Sequence, residues 1–157
     1  MAKNYVVGFL FNQYYSEVVL IRKTHPEWQK GKLNGVGGKI NPGEHPNNAM
    51  TRKFEEEAGL LIAPEFWRHV CTIQWPDDEV RVQDAEPSKV WFFTAKLEIE
   101  YLGAYVSSQT EEQIEIHHLD VVSWMSDLIP NLTWLLPLAA YHSDNYEPFI
   151  VNAETAT

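Results

Sequence analysis

Gly38-Lys39-Ile40-Asn41-Pro42-Gly43-Glu44-His45-Pro46-Asn47-Asn48-Ala49-Met50-Thr51-Arg52-Lys53-Phe54-Glu55-Glu56-Glu57-Ala58-Gly59-Leu60 is the stretch that decides the fold. A glycine-bearing segment leads into a helix predicted over Pro46 to Ala58. Proline suits a first helical turn, and Gly59 suits a C-terminal cap. At 100° per residue, Met50, Phe54, Ala58 and Leu61 share an apolar face. Arg52, Lys53, Glu56 and Glu57 gather on the other side, and Glu55 points away as a solvated charge. Carboxylates grouped in this way suit a hard cation such as Mg²⁺. Lys53 brings an ammonium to the same face.

Outward from this helix, residues 4–11 and 17–22 are rich in β-branched and aromatic side chains and read as a hairpin around the loop 12–16. Thr24 to Lys32 reads as a mobile loop. Glycines at 31, 35, 37 and 38 mark backbone that turns or approaches something closely. Strands are predicted near 66–75, 89–100 and 113–118, with turns at Pro76–Glu79 and Asp84–Ser88. Leu97 and Ile99 alternate with Glu98 and Glu100, which places those acids toward solvent on a strand. A short helix is expected near 123–128 and a longer one from about 131 to 142, kinked or broken at Pro137. Residues beyond 146 are expected to fray. Strands mixed with few helices, without regular βαβ alternation, indicate a mixed α/β sandwich.

The 157 residues fit one domain with a sizeable core. A net charge of −10 argues against polynucleotide phosphates as partners, which need a basic surface. It leaves room for a small phosphorylated ligand, because bound divalent cations invert the field of an acidic pocket. No apolar run of membrane-spanning length and no secretory leader are visible, and the single cysteine, Cys71, suits a reducing cytosol as a buried apolar residue. A cytoplasmic location is the expectation. His117-His118 does not form one metal site on a strand, since neighbouring side chains point to opposite faces.

Gly38, Glu44, Arg52, Phe54, Glu56, Glu57, Gly59 and Leu60 stand at spacings that resemble the Nudix box, Gly-x5-Glu-x7-Arg-Glu-U-x-Glu-Glu-x-Gly-U with U apolar. Every specified position matches except the Glu after Arg, which is Lys53. The resemblance covers residues 3–143, with 144–157 as a partly disordered tail. It implies a Nudix-type α/β/α sandwich with a mixed sheet. It also implies hydrolysis of nucleoside diphosphates linked to another moiety, with Mg²⁺ (or Mn²⁺) as cofactor. Carried over residue by residue, the metal ligands are Gly38 through its backbone, Glu56, Glu57 and Glu112. Glu112 enters because family members often place a further Glu in the loop after the last long strand, here Thr110-Glu111-Glu112-Gln113, as ligand or general base. The resemblance casts Glu112, Glu57 and Arg52 as catalytic, with Lys53 in the place of the missing acid, and Glu44 as support. Lys53 can pair with Glu56 or Glu57 and compete with the metal. Slow turnover, a base drawn from elsewhere, or nucleotide binding without cleavage all follow as open outcomes.

The stretch Gly31–Lys39 resembles the subgroup that hydrolyses (d)NTPs to a nucleoside monophosphate and pyrophosphate. There an Asn before the glycines bonds the base, and Asn34 occupies that place; an amide offers donor and acceptor to a purine edge. Arg22 or Lys23, and Lys39, resemble phosphate contacts of the family. The Trp-Pro-Asp-Asp of mammalian oxidised-purine enzymes is replaced by Leu128-Ile129-Pro130-Asn131, which counts against an 8-oxo-purine substrate. Asn131 remains a candidate base contact, and Trp28 a candidate stacking platform.

Overall fold

The computed structural model describes residues 2–76, 86–141 and 146–153. The predicted turns at Pro76–Glu79 and Asp84–Ser88 fall mostly outside them, and Ser88 itself opens a strand. Among the described residues eight strands form one mixed sheet: β1 (Asn4–Phe11), β2 (Glu17–Arg22), β3 (Leu33–Asn34), β4 (Val36–Lys39), β5 (Arg68–Trp75), β6 (Ser88–Lys96), β7 (Gln113–His118) and β8 (Phe149–Asn152). The helices are α1 (Pro46–Ala58), α2 (Leu119–Val122) and α3 (Leu132–Tyr141). The path through the sheet runs β3-β2-β1-β6-β5-β8, with β4 on β1 and β7 on β2. β1 lies parallel to β6 and β5 parallel to β8, while the other pairs are antiparallel.

Alternation along β1 and β2 builds a core on each face of the sheet. Phe9, Phe11, Val18 and Leu20 face one way and pack with Leu132, Leu135, Leu136 and Ala139 of α3. Val6, Leu10, Val19 and Ile21 face the other way and pack with Ala49, Met50, Phe54 and Ala58 of α1. A period-2 strand with both faces apolar needs a cover on each side, and this is the expected α/β/α sandwich. Asn12 shapes the β1–β2 connection: its side-chain oxygen accepts from the Ser16 and Glu17 amides, and its amide donates to Ser16 Oγ and the Glu100 carbonyl.

Several local expectations are corrected. Gly37 and Gly38 lie in β4, paired with Val7 and Val6 of β1, so they make a close strand-to-strand approach and no turn. Leu61 is exposed because Gly59 ends α1 in the left-handed conformation before the helical period reaches it. β6 ends at Lys96, so Glu98 and Glu100 are exposed in irregular chain, although Leu97 and Ile99 still turn inward. The short helix is α2, preceding the predicted 123–128. α3 runs through Pro137 without a break, since its buried leucines and alanines anchor it to the sheet despite the lost backbone bond. The chain beyond 146 adds β8 to β5 in parallel, where Tyr146 Oη also donates to the Val70 carbonyl. Within Thr24–Lys32 the chain forms a 3₁₀ turn at Glu27–Gln29. No helix among the described residues is long and apolar enough to cross a membrane.

Candidate functional site

α1 presents the polar face of the site. His45 caps its start by accepting from the Asn47 amide at 3.2 Å, and the Gly59 amide closes its end on the Glu55 carbonyl at 2.9 Å. Burial of Met50 and Phe54 against the sheet fixes the rotation of the helix, so Arg52, Lys53, Glu56 and Glu57 face the β4 side. Arg52 grips Glu44 through two bonds of 2.9 Å, donates to the Lys39 carbonyl at 3.0 Å, and reaches Glu56 Oε1 at 3.1 Å. This ties the segment before α1 to the helix. The Arg52 hydrogen bond holds the Glu44 carboxyl below the ordinary value, and Glu44 raises the Arg52 guanidinium in return.

Lys53 takes the centre of this face. Its ammonium lies 3.0 Å from Glu56 Oε2 and 3.6 Å from Glu57 Oε1. The other Glu57 oxygen accepts from Thr110 Oγ1 at 2.9 Å. Each oxygen of the Glu56–Glu57 pair therefore has a protein partner. The Lys53 stem lies over Gly38: a Cβ built there would collide with Lys53 Cε. Gly38 thus leaves room for a side chain of its own protein, where close approach of a ligand was expected. Burial opposes ionisation of Glu56, but Lys53 and Arg52 outweigh it and hold its carboxyl low.

Glu112 sits close by along the chain yet is turned to other partners. The loop before β7 docks on the end of α1 through the amides of Ser107 and Gln109, which donate to the carbonyls of Ala58 and Glu57. Thr110 Oγ1 accepts from the Glu112 amide at 3.2 Å, linking Glu57 to Glu112 through one hydroxyl. Glu112 is buried, and its side chain accepts from the Thr24 amide at 2.7 Å and from Lys23 Nζ at 3.1 Å. Burial pushes its carboxyl up, and Thr24, Lys23 and His25 together bring it below the ordinary value. Glu112 is thus an ionised latch on the segment that follows β2.

A divalent cation was expected among Gly38, Glu56, Glu57 and Glu112. Among the described residues no group of three or more Asp, Glu, His or Cys side chains converges to hold a metal ion. The donor set does not fit one, because Lys53 already holds Glu56 and Glu57 and Glu112 is committed to Lys23 and Thr24.

The predicted substrate contacts are spread around this face. Arg22 makes a two-pronged pair with Glu115 at 2.7 and 2.8 Å, and a further bond to Asp127. Its guanidinium is occupied by carboxylates, and Lys23 is occupied by Glu112. Asn34 Oδ1 accepts from the Gly35 amide and its Nδ2 donates to Gln29 Oε1, so the amide braces the 3₁₀ turn that carries Trp28. Trp28 is 62% exposed, and Lys39 and Asn131 are exposed. Thr110, Glu115 and Asp127 shape the site without having been singled out. The strand alternation of β7 puts Glu115 and His117 on one face, 2.9 Å apart, which was the available signal; the partnership of Asp127 depends on tertiary packing. A concavity of about 490 Å³ lies between α2 and α3, lined among others by Asp120, Leu128, Leu136 and Tyr141.

The profile of the NUDIX domain matches residues 1–132. Among solved structures, the chain is similar to the NUDIX domain of Shewanella oneidensis NrtR complexed with ADP ribose, with a TM-score of 0.67 at 18% identity, covering 88% of this chain and 86% of that one. It is similar to a MutT protein from Bacillus halodurans, with a TM-score of 0.67 at 17% identity over 97% of this chain and 90% of that one. The C. elegans Ap4A hydrolase gives a TM-score of 0.58 at 19% identity over 88% and 96%. At these identities the likenesses establish the fold alone. No curated protein sequence matches the chain.

Proposed function

The chain belongs to the NUDIX family, and from that premise we propose that it binds a nucleotide derivative bearing a di- or triphosphate against the polar face of α1, with hydrolysis weak or lost. One observation carries this reading: the Lys53 ammonium lies between Glu56 and Glu57, 3.0 and 3.6 Å away. Those two acids, with Glu112, are the residues the family pattern would turn toward a metal, and here a lysine holds the pair. Arg52 holds Glu44 and the Lys39 carbonyl, and so ties the segment before α1 to the helix, which supports retained binding.

The second reading is hydrolysis to a nucleoside monophosphate and pyrophosphate with Glu112 as base. It draws on the ionised, buried state of that carboxylate beside the end of α1. A base must reach the attacking water, so this reading requires Glu112 to leave Lys23 and Thr24.

The relatives' names supply the first probes: ADP-ribose and Ap4A, alongside the (d)NTPs suggested by the Gly31–Lys39 stretch. The test is thermal denaturation with each probe, together with phosphate and pyrophosphate release in Mg²⁺ or Mn²⁺. The first reading expects a raised melting temperature with at least one probe and little release. Rapid release would establish the second reading, and no thermal shift with any probe would remove both.

A further inference from the structure

We propose that the Lys53 ammonium takes the place of a divalent cation at this face, so that ligand phosphates bind without metal. The proposal rests on the binding reading above and specifies how that binding is achieved.

Charge is the first argument. A lysine in place of a glutamate adds two units of positive charge, which is the charge of one Mg²⁺ or Mn²⁺. Glu44, Glu56 and Glu57 are offset here by Arg52 and Lys53, leaving one net negative charge on the face. Lys39, exposed at the end of β4, lies at the same edge, and its carbonyl accepts from Arg52. With glutamate at 53 the same face would repel a polyphosphate until a cation arrived.

Position is the second argument. The ammonium stands between the two carboxylates, and its reach across β4 depends on the missing Cβ of Gly38. Glu56 takes one N–H within hydrogen-bond distance, and Glu57 lies at 3.6 Å. An ammonium carries three donors. With 18% of its side chain still open, Lys53 can offer a donor to a phosphate oxygen without leaving the glutamates. The carboxylates hold the lysine in place, and the lysine carries the positive charge toward the ligand.

The test is calorimetric titration of the whole chain with α,β-methylene-ADP, in EDTA and again in excess Mg²⁺, for the native protein and Lys53→Glu. The native protein is expected to bind with the same affinity, within about twofold, in both media. Lys53→Glu is expected to bind only with Mg²⁺ present. Native binding that weakens by more than about tenfold in EDTA overturns the proposal while leaving the binding reading intact. Native protein that binds in neither medium overturns the proposal, and the binding reading falls with it when ADP-ribose, Ap4A and the (d)NTPs also give no thermal shift. Should Lys53→Glu fail to fold, Lys53→Gln serves: a loss of about tenfold or more in EDTA supports the ammonium's role, and unchanged affinity overturns it.

Discussion

Lys53 and Gly38 share one volume: the lysine stem crosses β4 where a side chain at position 38 would stand. Gly37 has a different neighbour, because a Cβ there would collide with the Val6 carbonyl oxygen in the backbone of β1. The two adjacent glycines therefore differ in what substitution does. Gly38→Ala pushes aside the flexible end of a lysine and should cost under about 1 kcal/mol. Gly37→Ala must move a paired strand and should cost about 1–3 kcal/mol or more. Urea denaturation of the two variants measures this, and equal losses would refute the assigned neighbours.

Glu112 fastens two segments together, so its loss should be felt on the far side of the ion pair. Glu112→Ala leaves the Thr24 amide without its acceptor and the Lys23 ammonium without its carboxylate. An unpaired buried partner costs about 1–3 kcal/mol. Hydrogen exchange should be faster at the Thr24 amide, with a smaller change or none at the α1 amides. Unaltered protection at Thr24 would contradict the latch.

Acid should unfold this chain through a definite set of groups. Hydrogen bonds from Arg52 hold Glu44 low, and hydrogen bonds from Arg22 hold Glu115 and Asp127 low. Glu56 and Glu112 are low despite burial, through Lys53 with Arg52 and through Thr24 with Lys23. Unfolded, glutamates return to the ordinary 4.5. Below that value the unfolded chain binds more protons than the folded one, so stability present at neutral pH is lost as pH falls through the folded values. His69, whose pKa burial lowers from 6.5, acts in the same direction from higher pH. The melting temperature should decline gently below about pH 6.5 and steeply below about pH 4.5. Arg22→Met should melt lower at neutral pH and show a shallower acid limb. An acid limb identical to the native one would contradict the role given to the Arg22 pairs.

Much of this arrangement was legible because it is local. The α1 limits follow from Pro46 and Gly59, and its buried face from the spacing of Met50, Phe54 and Ala58. The competition of Lys53 for Glu56 and Glu57 follows from three- and four-residue spacing on a helix. What escaped is tertiary. β8 is a strand only because the edge of β5 is there to pair with it. The side chain of Glu112 is set by Lys23 and Thr24, 89 and 88 residues away in sequence, and no periodicity encodes that. The neighbour of Gly38 escaped for the same reason: glycine signals a close approach, but the approaching group, Lys53, is fixed by how α1 lies on β4. Burial, by contrast, was read well for Cys71, whose thiol is enclosed and pushed up to about 12.

The Lys53 ammonium lies against both carboxylates of the Glu56–Glu57 pair. Electron paramagnetic resonance of Mn²⁺ titrated into native protein and Lys53→Glu tests it most directly. The native chain is predicted to leave the free-ion signal unchanged at stoichiometric Mn²⁺, while Lys53→Glu takes up the ion and gains turnover of roughly tenfold or more. Tight Mn²⁺ uptake by the native chain, abolished by Glu56→Gln, would contradict the account.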